Sequence, residues 1–328
     1  CWPGASRGEG RPAARATSRP ARPWCSGAVS FDDAVRDPAR RRWILATAAI
    51  GAFASAITFT SINVALPSLV VAFETSFAAV QWVLLGYLLA TAALLPIVGR
   101  LADMLGKRAI FLAGMAIFTV GSFLTGVAPG LGWLIAFRLL HGVGSAVLTG
   151  VGLAIVTDVF PAEERGRAIG INGALLSTGI VLGPTLGGLL VEVGWRWVFL
   201  AGVPVGLLGA ALAWRFVPSY PRGPAQRFDV PGAALLVAML TAGSLAMTLG
   251  AERGYDDPWI VAGLAFAVAL LPVFLRRERR TDHPVLDLAL FRDARLSVGL
   301  LVGLATFVSI SGTIFVMPFY LENVLALA

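Results

Sequence analysis

The chain has 328 residues, of which 57% are hydrophobic and only 14% charged, with a formal net charge of +7. Soluble domains carry about a quarter charged residues, so a soluble enzyme or regulatory domain is excluded. The positive charge lies in short gaps between apolar runs, which fits cationic loops beside a membrane and not a nucleic-acid-binding patch.

Residues 1–42 are rich in Arg, Pro, Gly and Ser, and the chain begins at Cys1. They lack the apolar core of a signal peptide. They read as a disordered basic cytoplasmic tail, or as upstream sequence translated in error. Both cysteines, Cys1 and Cys25, lie here, and no Cys/His spacing suits a metal. A bilayer core about 30 Å thick is crossed by roughly 20 apolar helical residues. Nine segments meet that requirement: 43–66, 80–98, 109–128, 132–155, 167–190, 197–217, 231–250, 258–275 and 296–318. Their apolar runs are continuous and do not alternate, so they are helices and not barrel strands. The expected fold class is all-α, a polytopic transmembrane helical bundle. With the N-terminus in the cytoplasm, most of the 26 Lys and Arg residues fall inside, and the outside loops hold only Arg196 and Arg253. This predicts a multi-pass protein of the inner (plasma) membrane.

Four motifs interrupt the apolar pattern. The first span ends in Thr58, Asn63 and Pro67. The turn after the second span carries Gly99, Arg100, Asp103, Gly106, Lys107 and Arg108. There the glycines permit a tight reversal, while Asp103 either caps a helix start or pairs with a cation. The plain alternative is a basic turn that obeys the charge rule. In the fourth span, Arg138 cannot shed its proton, so it is expected to face a polar cavity or an acidic partner. His141 lies one turn away on the same face, where it serves as a hydrogen-bonding group or as a proton carrier. In the fifth span Gly179, Gly183 and Gly187 repeat every four residues beside Pro184 and Gly188. Such a stripe lets another helix approach closely, and the proline removes a backbone donor and can kink the helix.

These motifs resemble the major facilitator superfamily. The turn follows G-x-L-a-D-x-x-G-[KR]-[KR], the fourth span R-x-x-x-G-x-G-x-A, and the fifth G-x-x-x-G-P-x-x-G-G, which is typical of the superfamily's antiporters. The run from Asn63 to Pro67 looks like the first helix of the 14-helix drug/proton antiporter branch, with Thr58 where that branch carries Asp. Further similarity runs through 160–168, 194–206 and 283–292. The resemblance implies a six-helix bundle over 43–217, two linker helices within 218–275, a cytoplasmic loop at 276–295, and the first helix of a second, incomplete bundle from 296 to 328. It thus implies a fragment of a longer protein. It also implies a cytoplasmic gate at the 99–108 turn, a bend in the fifth helix, and proton coupling through Arg138. The expected activity is secondary active export of amphipathic small molecules in exchange for protons. Asn63, Thr58, Arg138 and His141 would line the cavity. Export of a lipid, an amino acid or a self-made antibiotic is the alternative, and a non-transporting membrane receptor or scaffold is the alternative of another class. Neither a cofactor nor a metal is implied. No G-x-x-x-x-G-K-[ST] loop is present, and no catalytic constellation lies in the spans.

Overall fold

A computed structural model describes residues 31–219, 228–281, 284–286 and 288–323. The tail residues 1–30, together with Arg222, Arg227, His283 and Asp287, lie outside the described residues. A short helix α1 (Phe31–Arg36) precedes five long ones: α2 (Pro38–Ala72), α3 (Phe77–Leu105), α4 (Lys107–Gly126), α5 (Leu131–Val159) and α6 (Ala162–Val193). The next crossing is made by α7 (Trp195–Leu200) and α8 (Gly202–Phe216) together. A hairpin follows, α9 (Val230–Arg253) and α10 (Pro258–Glu278), then a 3₁₀ turn at Leu288–Arg292 and α11 (Ala294–Asn323).

Local chemistry sets the ends of these helices. Asp37, Ser76, Asp229 and Asp257 each accept a hydrogen bond from the backbone N–H of Ala39, Ala79, Gly232 and Trp259, satisfying donors that a first turn leaves open. Pro38 and Pro258 stand at first-turn positions, where a missing N–H costs nothing. Gly106 terminates α3 at φ +98°, in backbone space that residues with a Cβ avoid.

Among the described residues, eight helical spans are long and apolar enough to cross a membrane, from Pro38–Ala72 through Pro258–Glu278. In the ninth predicted span, the apolar stretch found among described residues is shorter, Ala294–Ser309. The helices also outrun the predicted spans at their ends. Residues 31–36 and 38–42 are helical, contrary to the expected disordered tail: Phe31 packs at the core and Asp37 caps the start of α2. Similarly, α10 continues to Glu278, beyond the predicted 258–275.

Within the bundle α2 packs on α5, α6 and α8, and α5 also packs on α3 and α4. One core gathers Ile44, Phe111, Leu148 and Val159, and another gathers Ile62, Val83, Leu134 and Phe199. The α9–α10 hairpin closes on itself and rests on α3 through Ile97, Leu236 and Phe274. The basic helix ends collect on one side. Arg41 at the start of α2 bonds Glu164 at the start of α6, and Lys107 at the start of α4 bonds Asp158 at the end of α5. There too, Arg108 donates to the Trp214 carbonyl at the end of α8.

Candidate functional site

The centre of the bundle holds a guanidinium. Arg138, on α5, has no accessible surface, and neither does His141 one turn further on. Arg138 Nε donates to the Val83 carbonyl on α3 at 3.1 Å. Its planar head lies 4.4 Å from the Tyr87 ring centroid and 5.5 Å from that of Phe199. Its Nη1 lies 3.3 Å from His141 Nδ1. A guanidinium offers only donors, so Nδ1 is the acceptor and the imidazole carries its proton on Nε2. That Nε2, like Nη2 of Arg138, is buried without a hydrogen-bond partner among the described residues.

The aromatic cage is fixed from outside. Tyr87 donates to Ser145 Oγ at 2.7 Å and lies 3.1 Å from the Ser55 carbonyl. Phe118 meets His141 edge-on at 4.4 Å. Gly142 makes the fit possible, because a Cβ there would lie 2.6 Å from the Tyr87 carbonyl oxygen. The sequence expectation of a polar cavity or an acidic partner for Arg138 is therefore corrected. Among the described residues no carboxylate pairs with it, and π faces and a carbonyl take that place. Such contacts are worth about 2 kcal/mol each when desolvated.

The other two residues expected in the cavity do not join this cluster. Thr58 is buried, next to Gly202 on α8. Asn63 is exposed, and its amide donates to the Thr60 carbonyl at 3.4 Å.

The glycine stripe does what its spacing predicts. Gly179, Gly183 and Gly187 are the buried glycines of α6, and they lie on α2. Ser61 Oγ donates to the Gly183 carbonyl at 2.8 Å. A Cβ at Gly187 would lie 2.6 Å from the Ser61 carbonyl oxygen, whereas one at Gly188 would meet only Val64, at 4.0 Å. The α6 helix runs unbroken through Pro184, which is exposed.

At the 99–108 turn only Gly106 makes the reversal. Gly99 is an interior helical residue of α3 with no neighbour to crowd, so its expected turn role is corrected. Asp103 is not a cap for α4, which begins at Lys107 after Gly106 and has no side-chain cap. It pairs with Lys107 at 3.6 Å instead. Lys107 makes a tighter pair with Asp158, at 2.6 Å. Arg108 reaches Trp214 O at 2.6 Å and Ser219 Oγ at 3.2 Å. Arg100 makes no ion pair among the described residues. Sequence reasoning missed Asp158 and Tyr87. The available signal was an acid at the end of an apolar span and a tyrosine in the middle of one.

Residues 48–328 match the family profile described as Major Facilitator Superfamily. The riboflavin transporter RibZ of Clostridioides difficile is 33% identical, over 87% of this chain and 62% of that protein. The multidrug resistance protein Stp of Mycobacterium tuberculosis is 34% identical, over 84% of this chain and 52% of its own length. The probable actinorhodin transporter of Streptomyces coelicolor is 34% identical, over 87% and 51%. The chain thus spans about half to three fifths of the length of these curated relatives. Among solved structures, a bacterial homolog of the human lysosomal transporter Spinster, inward-facing and unoccupied, superposes with a TM-score of 0.52. It is 22% identical, over 72% of this chain and 59% of that one. The human organic anion transporter MFSD10 gives 0.52 at 19% identity, over 68% and 58%. At these identities the likeness is one of fold.

Proposed function

Since the chain belongs to the Major Facilitator Superfamily, we propose that it works within a secondary active multidrug efflux transporter that exports amphipathic small molecules in exchange for protons. In this reading 43–217 is one six-helix bundle, 218–275 a pair of linker helices, 276–295 a cytoplasmic loop, and 296–328 the first helix of a second bundle. The basic helix ends face the cytoplasm, as the charge rule requires, across the inner membrane. Relatives named for multidrug resistance and for actinorhodin support export as the direction.

The observation that carries the coupling is the Arg138–His141 pair, sealed in the bundle. Neutral His141 accepts from the guanidinium. A proton arriving on Nδ1 turns that acceptor into a donor and sets a second positive charge beside the first. Among the described residues no carboxylate is at hand to absorb it, so the pair separates and α5 repacks against α3. The smooth α2–α6 seam is the surface on which one helix slides along its neighbour as the protein changes its facing. The Gly106 turn, tied by Lys107 to Asp103 and Asp158, is the cytoplasmic latch.

Thr58 favours a second reading. A buried hydroxyl stands where an acid would hold a cation, which suits a neutral or anionic cargo such as a lipid, an amino acid or a self-made antibiotic. Both readings are tested in proteoliposomes of the full-length protein with an acidic lumen. The drug/proton version predicts that an amphipathic dye accumulates and that adding it raises lumenal pH. Absence of both dye uptake and a pH change would refute it, and uptake confined to neutral or anionic compounds would favour the second reading.

A further inference from the structure

A second carboxyl group lies buried beside Asp229, where the α9–α10 hairpin rests on α3. Glu278, the last residue of α10, is only 4% exposed. Its Oε2 accepts from the Leu286 N–H at 3.2 Å. Its Oε1 is buried without a hydrogen-bond partner. That oxygen lies over Gly232 on α9, where a Cβ would stand 3.3 Å from it and would also strike Oδ2 of Asp229. Two carboxyl groups thus converge on one glycine, and the lack of a side chain there admits both.

The two differ in what meets them. Asp229 accepts three hydrogen bonds from Arg277, at 2.6, 3.0 and 3.1 Å, and another from the Gly232 N–H. Its ionised form is well matched. Glu278 is served by the backbone N–H groups of Leu286 and Val285. Among the described residues the charged groups acting on it are Asp229 and Arg277, and Arg277 is engaged by Asp229. Burial and a like charge both favour the protonated acid. Because Oε1 is already enclosed, chain elsewhere in the protein deepens this burial and does not reach the oxygen.

The segment held by Glu278 is one wall of a small core. Val285 is buried with Ile97, Leu236 and Phe274, and Leu286 and Leu101 pack against them. We propose that Glu278 is a proton-binding clasp, which holds the 284–286 segment on α3 while protonated and releases it when the proton leaves to water. In the held state the proton sits on Oε1, directed at the Asp229 carboxylate. Once it is lost, two carboxylates face each other over Gly232. A carboxylate accepts more strongly from Leu286, but one stronger hydrogen bond does not offset an unpaired buried charge. Glu278 therefore turns outward and the segment comes free. A carboxyl that binds its proton more tightly when held favours the held state at low pH, and that preference is lost as pH rises through the held pKa. Leu101 belongs to the 99–108 turn, so the clasp makes pH an input to the proposed gate. The clasp itself rests on neither membrane orientation nor transport.

The test follows hydrogen exchange of the Val285 and Leu286 amides in the full-length protein in detergent. Rates are expressed as protection factors, which removes the intrinsic pH dependence of exchange. A His283→Gln parent keeps histidine titration out of the segment. Its protection is expected to fall about tenfold or more between about pH 6 and about pH 9. Adding Glu278→Gln, which is neutral throughout, should keep the segment protected at both. Infrared spectra supply a reading that does not depend on how the variant docks. The parent should lose a protonated-carboxyl carbonyl band over the same range, and Glu278→Gln should lack that change. Unchanged protection in the parent, the same fall or weak protection throughout in Glu278→Gln, or no loss of the carboxyl band would each overturn the proposal.

Discussion

A guanidinium without accessible surface, and without a carboxylate among the described residues, persists in this bundle because its charge and most of its donors are met in other ways. Arg138 spends Nε on a carbonyl, Nη1 on His141, and its planar face on two aromatic rings. Lysine matches none of this geometry. Arg138→Lys is therefore expected to abolish proton-coupled uptake in proteoliposomes although the charge is kept. Arg138→Ala should also lower stability by about 1–3 kcal/mol for each buried acceptor left unpaired, as measured by thermal unfolding in detergent. Tyr87→Phe separates the ring from its hydroxyl. It keeps the face under Arg138 and loses the bond to Ser145, so stability should fall by about 1 kcal/mol with uptake retained.

The Arg138–His141 pair was legible in the sequence, because three residues along a helix put two side chains on one face. Tyr87 was not. It lies 51 residues before Arg138 on another helix, and only packing brings the two together. The separation of Thr58 from Asn63 was also readable in the sequence. Five positions on a helix place two side chains about 140° apart, and accordingly one is buried and the other exposed.

Between helices, the seam of α2 and α6 is the contact most sensitive to a single methyl group. Gly187→Ala forces a Cβ against the Ser61 carbonyl, whereas Gly188→Ala meets only Val64. The first is expected to cost about 1–3 kcal/mol and to slow transport, and the second to do neither. Melting curves and uptake rates of the two variants check this. The stripe could be read because four-residue spacing names a face, but its partner helix could not. The hydroxyls of Thr60 and Ser61 that receive it are common residues in an unremarkable stretch.

The α9–α10 hairpin adds a pH-dependent tie. Arg277 grips both oxygens of Asp229, at 2.6, 3.0 and 3.1 Å. That grip, aided by the Gly232 N–H and opposed by burial, holds the Asp229 carboxyl below its usual range. A carboxyl depressed by folding contributes stability above its unfolded pKa, about 3.9, and loses that contribution as pH falls through the folded value. Acidification below about pH 4 is thus expected to loosen the hairpin. Asp229→Asn should be less stable at neutral pH and should lack this acid step, as read by hydrogen exchange at the start of α9.

For the whole molecule, composition and the distribution of basic residues made the class of fold readable, because lipid leaves few ways to satisfy a backbone. Helix ends were less readable, since capping by Asp37 and the run of α10 to Glu278 carry helices past their apolar runs. The charged contacts at the basic end bring together the starts of α2, α4 and α6 with the ends of α5 and α8. One side of the bundle therefore holds the proposed latch and most of the positive charge, and the proposed transport cycle needs that side to face the cytoplasm. Cysteine labelling of the full-length protein tests it most directly. Cys1 and Cys25 are replaced and a single cysteine is set at Asp103 or Asp256. With a membrane-impermeant maleimide, Asp103→Cys should react only in inverted vesicles and Asp256→Cys only in intact cells; the reverse pattern would contradict the account.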